Sequence, residues 1–440
     1  MFPPRWAAAV AIVGGDMFLP PRIGIRIPGF NLDKDLLISV SALLACMILR
    51  PRLIFNGKKN GRRYFLLMLV LIVGCYFTVQ TNPEVVPVGT RALPGLTMHD
   101  FFSMSLNAVL YWWPAFFLGL KLFQTVEDIK ILCTVLTVGG IVYSFFIFIE
   151  LKFSPQLNYW IYGFLASAFD QAIRGGGYRP TVFMRHGLNV ALFMLVCLLA
   201  AVGLARARVR VFGISATWLA VYLAGVLILC HSAGALFNAM LFVPAMIFLR
   251  HRGQARLALA IAGLVFLYPL LRFLDLIPVA AVVDSFTKMF GEARSGSLNF
   301  RLMNESELLA RAIQKPWFGW GSWGRQFLYY PWGQLKSVVD GEWIAVMGGS
   351  GVFGFFGSFG LLIIPILVFA RKRLAVVATR PGSMMYSAAM FIGVAFVFDL
   401  VPNSGVAPYL VMMIGALAGT DVRELDNAYP PQRRNAAKWA

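Results

Sequence analysis

Long apolar runs alternate with short polar segments along most of the chain. A helix needs about 20 mostly apolar residues to cross the hydrocarbon core of a bilayer. The candidate spans are Ala7–Leu19, Leu36–Leu49, Phe65–Val79, Met104–Phe123, Ile129–Ile149, Leu188–Leu204, Val211–Leu229, Ala233–Leu249, Leu257–Leu271, Trp343–Ala370, Met384–Val401 and Ala407–Gly419. The pattern therefore predicts an all-α polytopic membrane protein with about 12 transmembrane helices, forming a single integral membrane domain over residues 1–440.

The composition agrees with this class of fold. The chain is 59% hydrophobic and 13% charged, whereas about 25% of the residues of a soluble domain are charged. Its five cysteines all lie inside apolar runs and form no CxxC pair. We therefore expect neither a disulfide framework nor a zinc site.

The net charge of +19 indicates an orientation in the membrane. Cytoplasmic loops are enriched in Lys and Arg. If both termini are cytoplasmic, nearly all of the excess positive charge falls on the cytoplasmic side. The basic residues are not gathered on one folded module, so nucleic-acid binding is not expected.

This orientation places three substantial loops outside, namely Gln80–Ser103, Glu150–Gly187 and Arg272–Glu342, the last of which we call the long loop. Helical spacing of apolar residues predicts an amphipathic helix over Asn299–Lys315, ended by Pro316. Oppositely charged residues four apart, Arg301–Glu305 and Glu307–Arg311, are expected to pair along this helix.

Three clusters on the outer side could carry chemistry. They contain Arg179, Arg185 and His186 before one apolar run, Arg301 and Arg325 in the long loop, and Asp340 and Glu342 before another apolar run. Each has an ordinary explanation: an arginine can anchor at the membrane surface, a histidine can cap a helix, and acids favour helix starts. Together they suit an anionic, lipid-linked substrate, because guanidinium groups bind phosphate oxygens and a carboxylate can accept a hydroxyl proton. Aromatic residues at Tyr329–Trp332 would suit sugar rings.

Two other functions remain open at this point. The acidic pair Asp33 and Asp35 has a spacing that could bind a metal, as in a metal-dependent glycosyltransferase that uses a lipid monophosphate donor. A transporter or flippase would also have many spans, but such folds usually contain internal repeats, which we do not find.

Four segments, in order, resemble the bacterial O-antigen ligase and O-antigen polymerase superfamily. They are RPTVFMRHGLNVALFM, FRLMNESELLARAIQKPWFGWG, DGEWIAVM and the glycine-rich GGSGVFGFFG, within Tyr178–Ala370. The resemblance implies a multi-pass protein of the bacterial inner (cytoplasmic) membrane with a periplasmic active site. It would polymerise repeat units of an O-antigen or exopolysaccharide without a metal or other cofactor. The implied partners are an undecaprenyl-diphosphate-linked oligosaccharide, membrane lipid, a flippase and chain-length regulator proteins.

Ligases of this superfamily, which transfer the glycan to lipid A-core, typically have a His-Asn pair where this chain has Asp340-Gly341. The segment HSAGALFNA also lacks an arginine often found there. Both departures favour a polymerase. In that hypothesis Arg179, Arg185 and Arg301 bind the diphosphate and Asp340 is the general base.

His186, Glu342 and Arg325 are possible additional site residues. Residues two apart on a regular helix point about 200° apart, so Asp340 and Glu342 are expected to face different sides. The glycines of the helix that starts with GGSGVFGFFG are expected to let neighbouring helices or lipid approach closely.

Overall fold

Sixteen α-helices are present in the computed structural model, which describes residues 3–22, 24–27, 30–55, 61–174, 176–375 and 382–420. They are α1 (Pro4–Phe18), α2 (Lys34–Leu49), α3 (Pro51–Phe55), α4 (Arg62–Gln80), α5 (Met98–Leu122), α6 (Val126–Phe153), α7 (Leu157–Tyr162), α8 (Gly187–Arg206), α9 (Ala216–Leu229), α10 (Ala233–Phe248), α11 (His251–Phe273), α12 (Val279–Phe290), α13 (Glu292–Ala312), α14 (Glu342–Ala375), α15 (Gly382–Asp399) and α16 (Pro408–Gly419). A helix covers most or all of each predicted apolar run.

Within the described residues, six helices are long and apolar enough to cross a membrane: α4, α5, α6, α8, α11 and α14. Four more, α9, α10, α15 and α16, are apolar but shorter. The protein is therefore an α-helical, membrane-embedded chain. The full number of twelve spans stays a prediction.

In the part of the chain that the structure describes, four short antiparallel hairpins connect some of the helices. Their strands are β1 (Ile25–Ile27), β2 (Phe30–Leu32), β3 (Val86–Val88), β4 (Arg91–Leu93), β5 (Ile173–Arg174), β6 (Gly177–Tyr178), β7 (Arg210–Val211) and β8 (Ile214–Ser215). Each strand pairs with the next, with Ile25 opposite Leu32 and Val86 opposite Leu93. The β7–β8 hairpin corrects the predicted span Val211–Leu229: Gly213 turns the chain at φ +80° and α9 begins only at Ala216.

Helix α8 forms the centre of the bundle and packs against α6, α9, α10 and α15. Helix α16 packs closely on α5, where glycine is required: a Cβ at Gly119 would lie 2.0 Å from the carbonyl oxygen of Met412. This packing brings the amino ends of α8 and α14 and the carboxyl end of α15 to one end of the bundle.

The three predicted outer loops meet at that same end. Arg179 of Glu150–Gly187 lines the same cavity as Arg301 of the long loop, and the indole nitrogen of Trp323 in the long loop donates to Asp100 of Gln80–Ser103 at 2.8 Å. At the opposite end, Arg5 pairs with Asp128 at 3.1 Å. The loops thus share one end, as the alternation of spans predicts, while which end faces the cytoplasm stays a prediction.

Helix α14 is broken at Gly351, which has φ +62°. The long loop fills the break: the Val352 amide donates to the Pro316 carbonyl, and the Trp320 amide donates to the Gly348 carbonyl, each at 2.8 Å. A Cβ at Gly351 would lie 2.4 Å from the carbonyl carbon of Trp317. The two glycine-rich motifs of the resemblance therefore pair with each other, so the long loop is the close neighbour of Gly351. Farther along the run a helix approaches as expected, because a Cβ at Gly357 would lie 2.3 Å from Cγ of Leu71 in α4.

The long loop contains two helices where the sequence predicts one. Gly291, at φ +83°, separates α12 from α13, and α13 starts earlier than the predicted Asn299. The expected pairs along the helix are wrong: Glu305 bonds to Arg272 at 2.7 Å and Glu307 to Lys336 at 2.9 Å. Because α13 lies against other elements, its charged side chains find partners there.

Candidate functional site

A cavity of about 520 Å³ opens at the loop end of the bundle. It is lined by residues from α5, from the segment before α8, from α13, from the start of α14 and from the end of α15. They are Tyr111, Gln171, Arg179, Arg185, His186, Leu188, Asn189, Leu192, Ser297, Phe300, Arg301, Val338, Asp340, Glu342, Asp399, Asn403, Ser404 and Gly405. All of the site residues predicted from the sequence except Arg325 are therefore together in one place.

Arg179 lies across the first turn of α8. Its Nη2 donates to the carbonyl oxygen of His231 at 3.1 Å. A Cβ at Gly187 would lie 2.4 Å from Cδ of Arg179, so glycine at this position leaves room for the arginine stem. The backbone of two helix ends thus fixes where this guanidinium enters the cavity.

Arg185 is held by two carboxylates from the start of α2. Its Nη2 lies 3.1 Å from Oδ2 of Asp33 and 3.1 Å from Oδ2 of Asp35. Burial alone would lower the pKa of Arg185, but the neighbouring acids outweigh burial and raise it. The two acids proposed from sequence as a metal pair therefore bind a guanidinium in this structure. Among the described residues, no group of three His, Cys, Asp or Glu side chains could hold a metal ion.

His186 caps α8, because its Nδ1 accepts the amide proton of Leu188 at 3.1 Å. The capping interpretation of this histidine is confirmed. The same side chain also lines the cavity between Arg185 and the first turn of α8. Its ring is therefore fixed by the helix start at the wall of the cavity.

Arg301 projects from α13 toward the end of α15. Its Nη1 donates to the Pro402 carbonyl at 3.0 Å and to Oδ1 of Asn403 at 2.7 Å. Its Nε lies 3.8 Å from Oδ2 of Asp340. This arginine joins α13, the start of α14 and the loop after α15, so the position of α13 decides where its charge lies.

Glu305, one turn after Arg301, fixes α13 in place. Its carboxylate accepts hydrogen bonds from Arg272 at 2.7 Å, from Tyr268 at 3.0 Å and from the Trp343 indole at 3.1 Å. Burial raises the pKa of Glu305 although Arg272 and these hydrogen bonds oppose the shift. Glu305 is therefore the buried attachment point between the long loop and helices α11 and α14.

Asp340 and Glu342 both line the cavity, which corrects the expectation that they face different sides. That expectation assumed a regular helix through both residues. Helix α14 begins only at Glu342, so Asp340 lies before its first turn. Glu342 accepts the amide proton of Gly405 at 3.2 Å, and its own amide donates to the carbonyls of Leu400 and Asn403.

Arg325 lies away from the cavity and is fully buried. Its Nη1 donates to the carbonyls of Glu84 at 2.8 Å and Pro94 at 2.7 Å, and its Nη2 lies 3.1 Å from the Glu84 carboxylate. Burial lowers the pKa of Arg325, although Glu84 opposes this. These contacts bind the long loop to the loop before α5, which is a structural role.

The cavity also contains residues that the sequence analysis did not single out. Asp399 ends α15, and Asn403 bridges it to Arg301: the Asn403 amide donates to Oδ1 of Asp399 at 3.0 Å, and its Oδ1 accepts from Arg301. The available signal was an acid at the end of an otherwise apolar run, followed by LVPNSG.

No protein-family model and no curated protein matches the chain. The resemblance to the O-antigen ligase and polymerase superfamily therefore stays a prediction. What the cavity can do must be judged from its own residues.

Proposed function

We propose that the protein is a membrane glycosyltransferase that polymerises the repeat units of a surface polysaccharide carried on undecaprenyl diphosphate. The observation that carries the proposal is the composition of the cavity: three guanidinium groups and several carboxylates lie together at one end of a membrane-embedded bundle. A diphosphate needs paired positive charge, and a hydroxyl nucleophile needs a base.

In this mechanism Arg179, Arg185 and Arg301 bind the diphosphate of the donor. An acceptor sugar hydroxyl attacks the anomeric carbon, Asp340 takes the hydroxyl proton, and the bond from that carbon to the diphosphate breaks. The lipid diphosphate leaves with the bonding electrons. Fixed guanidinium groups stabilise the charge that develops on it, which is electrostatic preorganisation.

The contacts of Arg301 support this assignment. It lies beside Asp340, the proposed base, while its Nη1 donates to Oδ1 of Asn403 and to the Pro402 carbonyl. Arg185 is similarly held by acids of α2. Fixed in this way, the two guanidinium groups would keep a bound diphosphate in one orientation relative to the carboxylate, as proximity catalysis requires.

The proposal places the protein in the bacterial inner membrane, with both termini in the cytoplasm and the cavity facing the periplasm. A flippase would supply the lipid-linked substrate and a chain-length regulator would limit the polymer. A ligase would use the same donor but would transfer the glycan to lipid A-core, and Asp340 in place of histidine favours the polymerase.

The test is the glycan made by a strain that lacks the gene. Polymerase loss leaves single repeat units on the lipid acceptor, whereas ligase loss leaves the acceptor bare. Complementation with the wild-type gene is the control. Polymer of normal length in the deletion strain would overturn both forms of the proposal.

A further inference from the structure

A second cavity, of about 400 Å³, lies between α4, α5 and the broken helix α14. Its lining residues are Leu71, Cys75, Asp100, Ser103, Met104, Asn107, Ala108, Gly321, Ser322, Trp323, Gly349, Ser350 and Gly354. It shares none of them with the first cavity. The two cavities lie at opposite ends of the helical segment 342–350, which is about 13 Å long at 1.5 Å per residue.

The polarity of this cavity changes along its length. Asp100 and Trp323 stand at the loop end, while Leu71, Met104 and Ala108 lie farther along α4 and α5, two of the helices that are apolar enough to cross a membrane. Ser103 and Asn107 also line this farther part, where the Asn107 side-chain amide donates to the Ser103 carbonyl at 2.7 Å. The distance along α5 from Asp100 to Ala108 is about 12 Å. A cavity of this kind fits an amphiphile, with its head among the polar residues and its chain beside the apolar ones.

The charge of the cavity selects the type of head group. Among the described residues that line it, Asp100 is the one carboxylate and there is no Lys or Arg. A phosphate would therefore meet a like charge without a compensating cation. At the loop end, the Ser322 hydroxyl and the Asp100 carboxylate instead match the hydroxyl groups of an uncharged sugar.

Trp323 provides the flat apolar surface that a sugar ring requires. The side chain is 61% exposed, and its indole nitrogen donates to Asp100 at 2.8 Å, which fixes the ring at the mouth of the cavity. Its backbone has φ +63°, an uncommon conformation for a large residue. Such a conformation persists only where the surrounding structure holds it in place, and residues of this kind cluster at functional sites.

We propose that this second cavity binds an uncharged glycolipid, with the sugar on Trp323 and Asp100 and the alkyl chain along Leu71 and Met104. The inference rests on the geometry of this cavity and does not depend on the proposed polymerase activity. Together the two cavities would separate a diphosphate-binding site from a site for a neutral saccharide.

The experiment uses the full chain in lipid nanodiscs and two photoreactive probes. Both probes carry a diazirine in a dodecyl chain; one has a maltose head and the other a phosphate head. After irradiation, mass spectrometry maps the labelled peptides. We expect the maltoside to label Leu71–Cys75 and Met104–Ala108 saturably, with competition by decyl maltoside, and about tenfold more strongly than the phosphate probe labels them.

Variants test the contacts. Trp323→Ala should reduce the maltoside labelling about tenfold, the factor expected for losing one good contact. Trp317→Ala is the matched control, because Trp317 is in the same loop and 62% exposed but does not line the cavity. Ala108→Phe, which fills the apolar part, should reduce labelling by itself and gives an answer if Trp323→Ala does not fold.

Three results would each overturn the inference. They are equal labelling by the two probes, labelling that does not saturate, and undiminished labelling in both Trp323→Ala and Ala108→Phe. None of them bears on the polymerase, since the assay contains no diphosphate and measures no turnover.

Discussion

Arg301 and Arg325 lie in the same long loop but in opposite environments. Arg301 lines the cavity with a quarter of its side chain exposed, whereas Arg325 is fully buried. The donors of Arg325 are used by carbonyls and by Glu84 of a neighbouring loop. Arg301 has Asp340 as its salt-bridge partner at 3.8 Å, a separation that an anionic ligand could compete with. The comparison separates a charge that builds the fold from one that can serve a substrate.

The largest expected effect is at the carboxylate beside Arg301. Asp340→Asn keeps the size and the hydrogen-bonding capacity but cannot accept a proton, so chain extension should fall ~10²–10⁴-fold. Glu342→Gln should be milder, since we assign Glu342 to the helix start and to the Gly405 amide. Polymer length on gels, at equal membrane levels of protein, is the measurement. Normal polymer from Asp340→Asn, with none from Glu342→Gln, would show that the base is misassigned.

A second pair of variants tests whether the position of α13 determines the site. Glu305→Gln removes the buried partner of Arg272, and breaking a buried ion pair costs ~3–5 kcal/mol of unfolding free energy. Because Glu305 anchors the helix that carries Arg301, polymerisation should also fall. Denaturant unfolding of the purified protein and polymer length are the two measurements.

Glu307→Gln is the matched control for this pair. It lies two residues away on the same helix, is exposed and pairs with exposed Lys336, so we expect no measurable change. Equal destabilisation by the two variants would contradict the assigned role of Glu305.

The two arginines can then be compared directly by changing each to lysine. Arg301→Lys keeps the charge but loses the bidentate fork, so activity should fall roughly 10–100-fold with little change in stability. Arg325→Lys should instead lower the unfolding free energy by ~1.5–3 kcal/mol, the value of one hydrogen bond from a charged group. Activity per folded molecule of Arg325→Lys should remain near wild type. If Arg325→Lys abolishes activity in a fully folded protein, the distinction between the two arginines fails.

Sequence patterns predicted the helices and, apart from Asp399, the charged residues that line the first cavity, and they did so for a physical reason. Apolar runs that alternate with polar segments predict membrane-spanning helices. Counting these helices along the chain places Arg179, Arg185 and Asp340 at the same end of the bundle, where packing brings them together. The pairing of Arg185 with Asp33 could not be predicted, because it joins distant parts of the chain through packing. The break at Gly351 was missed for a similar reason: the hydrogen bonds that fill it come from the long loop. The residue type of Arg325 suggested that this side chain could bind a ligand. Only its contacts in the structure show that its donors are already used.

The smallest expected effect is a pH dependence at Glu84, the partner of Arg325. Burial would raise the pKa of Glu84, but hydrogen bonds and the charges of Lys315 and Arg325 outweigh burial and lower it. A carboxylate whose pKa is lower in the folded state stabilises the fold above its unfolded pKa of ~4.3, and this contribution is lost as the pH falls through the folded value. Because the side chain is 46% exposed, we expect Glu84 to contribute less than ~1 kcal/mol to the free energy of unfolding.

Glu84→Gln should therefore unfold more easily than wild type at pH 6, and the difference should shrink toward pH 3. Glu127→Gln, at an exposed pair with Lys130, is the control and should show no such change. A difference in unfolding free energy between wild type and Glu84→Gln that grows toward pH 3 would mean that protonated Glu84 stabilises the fold. The role given to Glu84 with Lys315 and Arg325 would then be wrong.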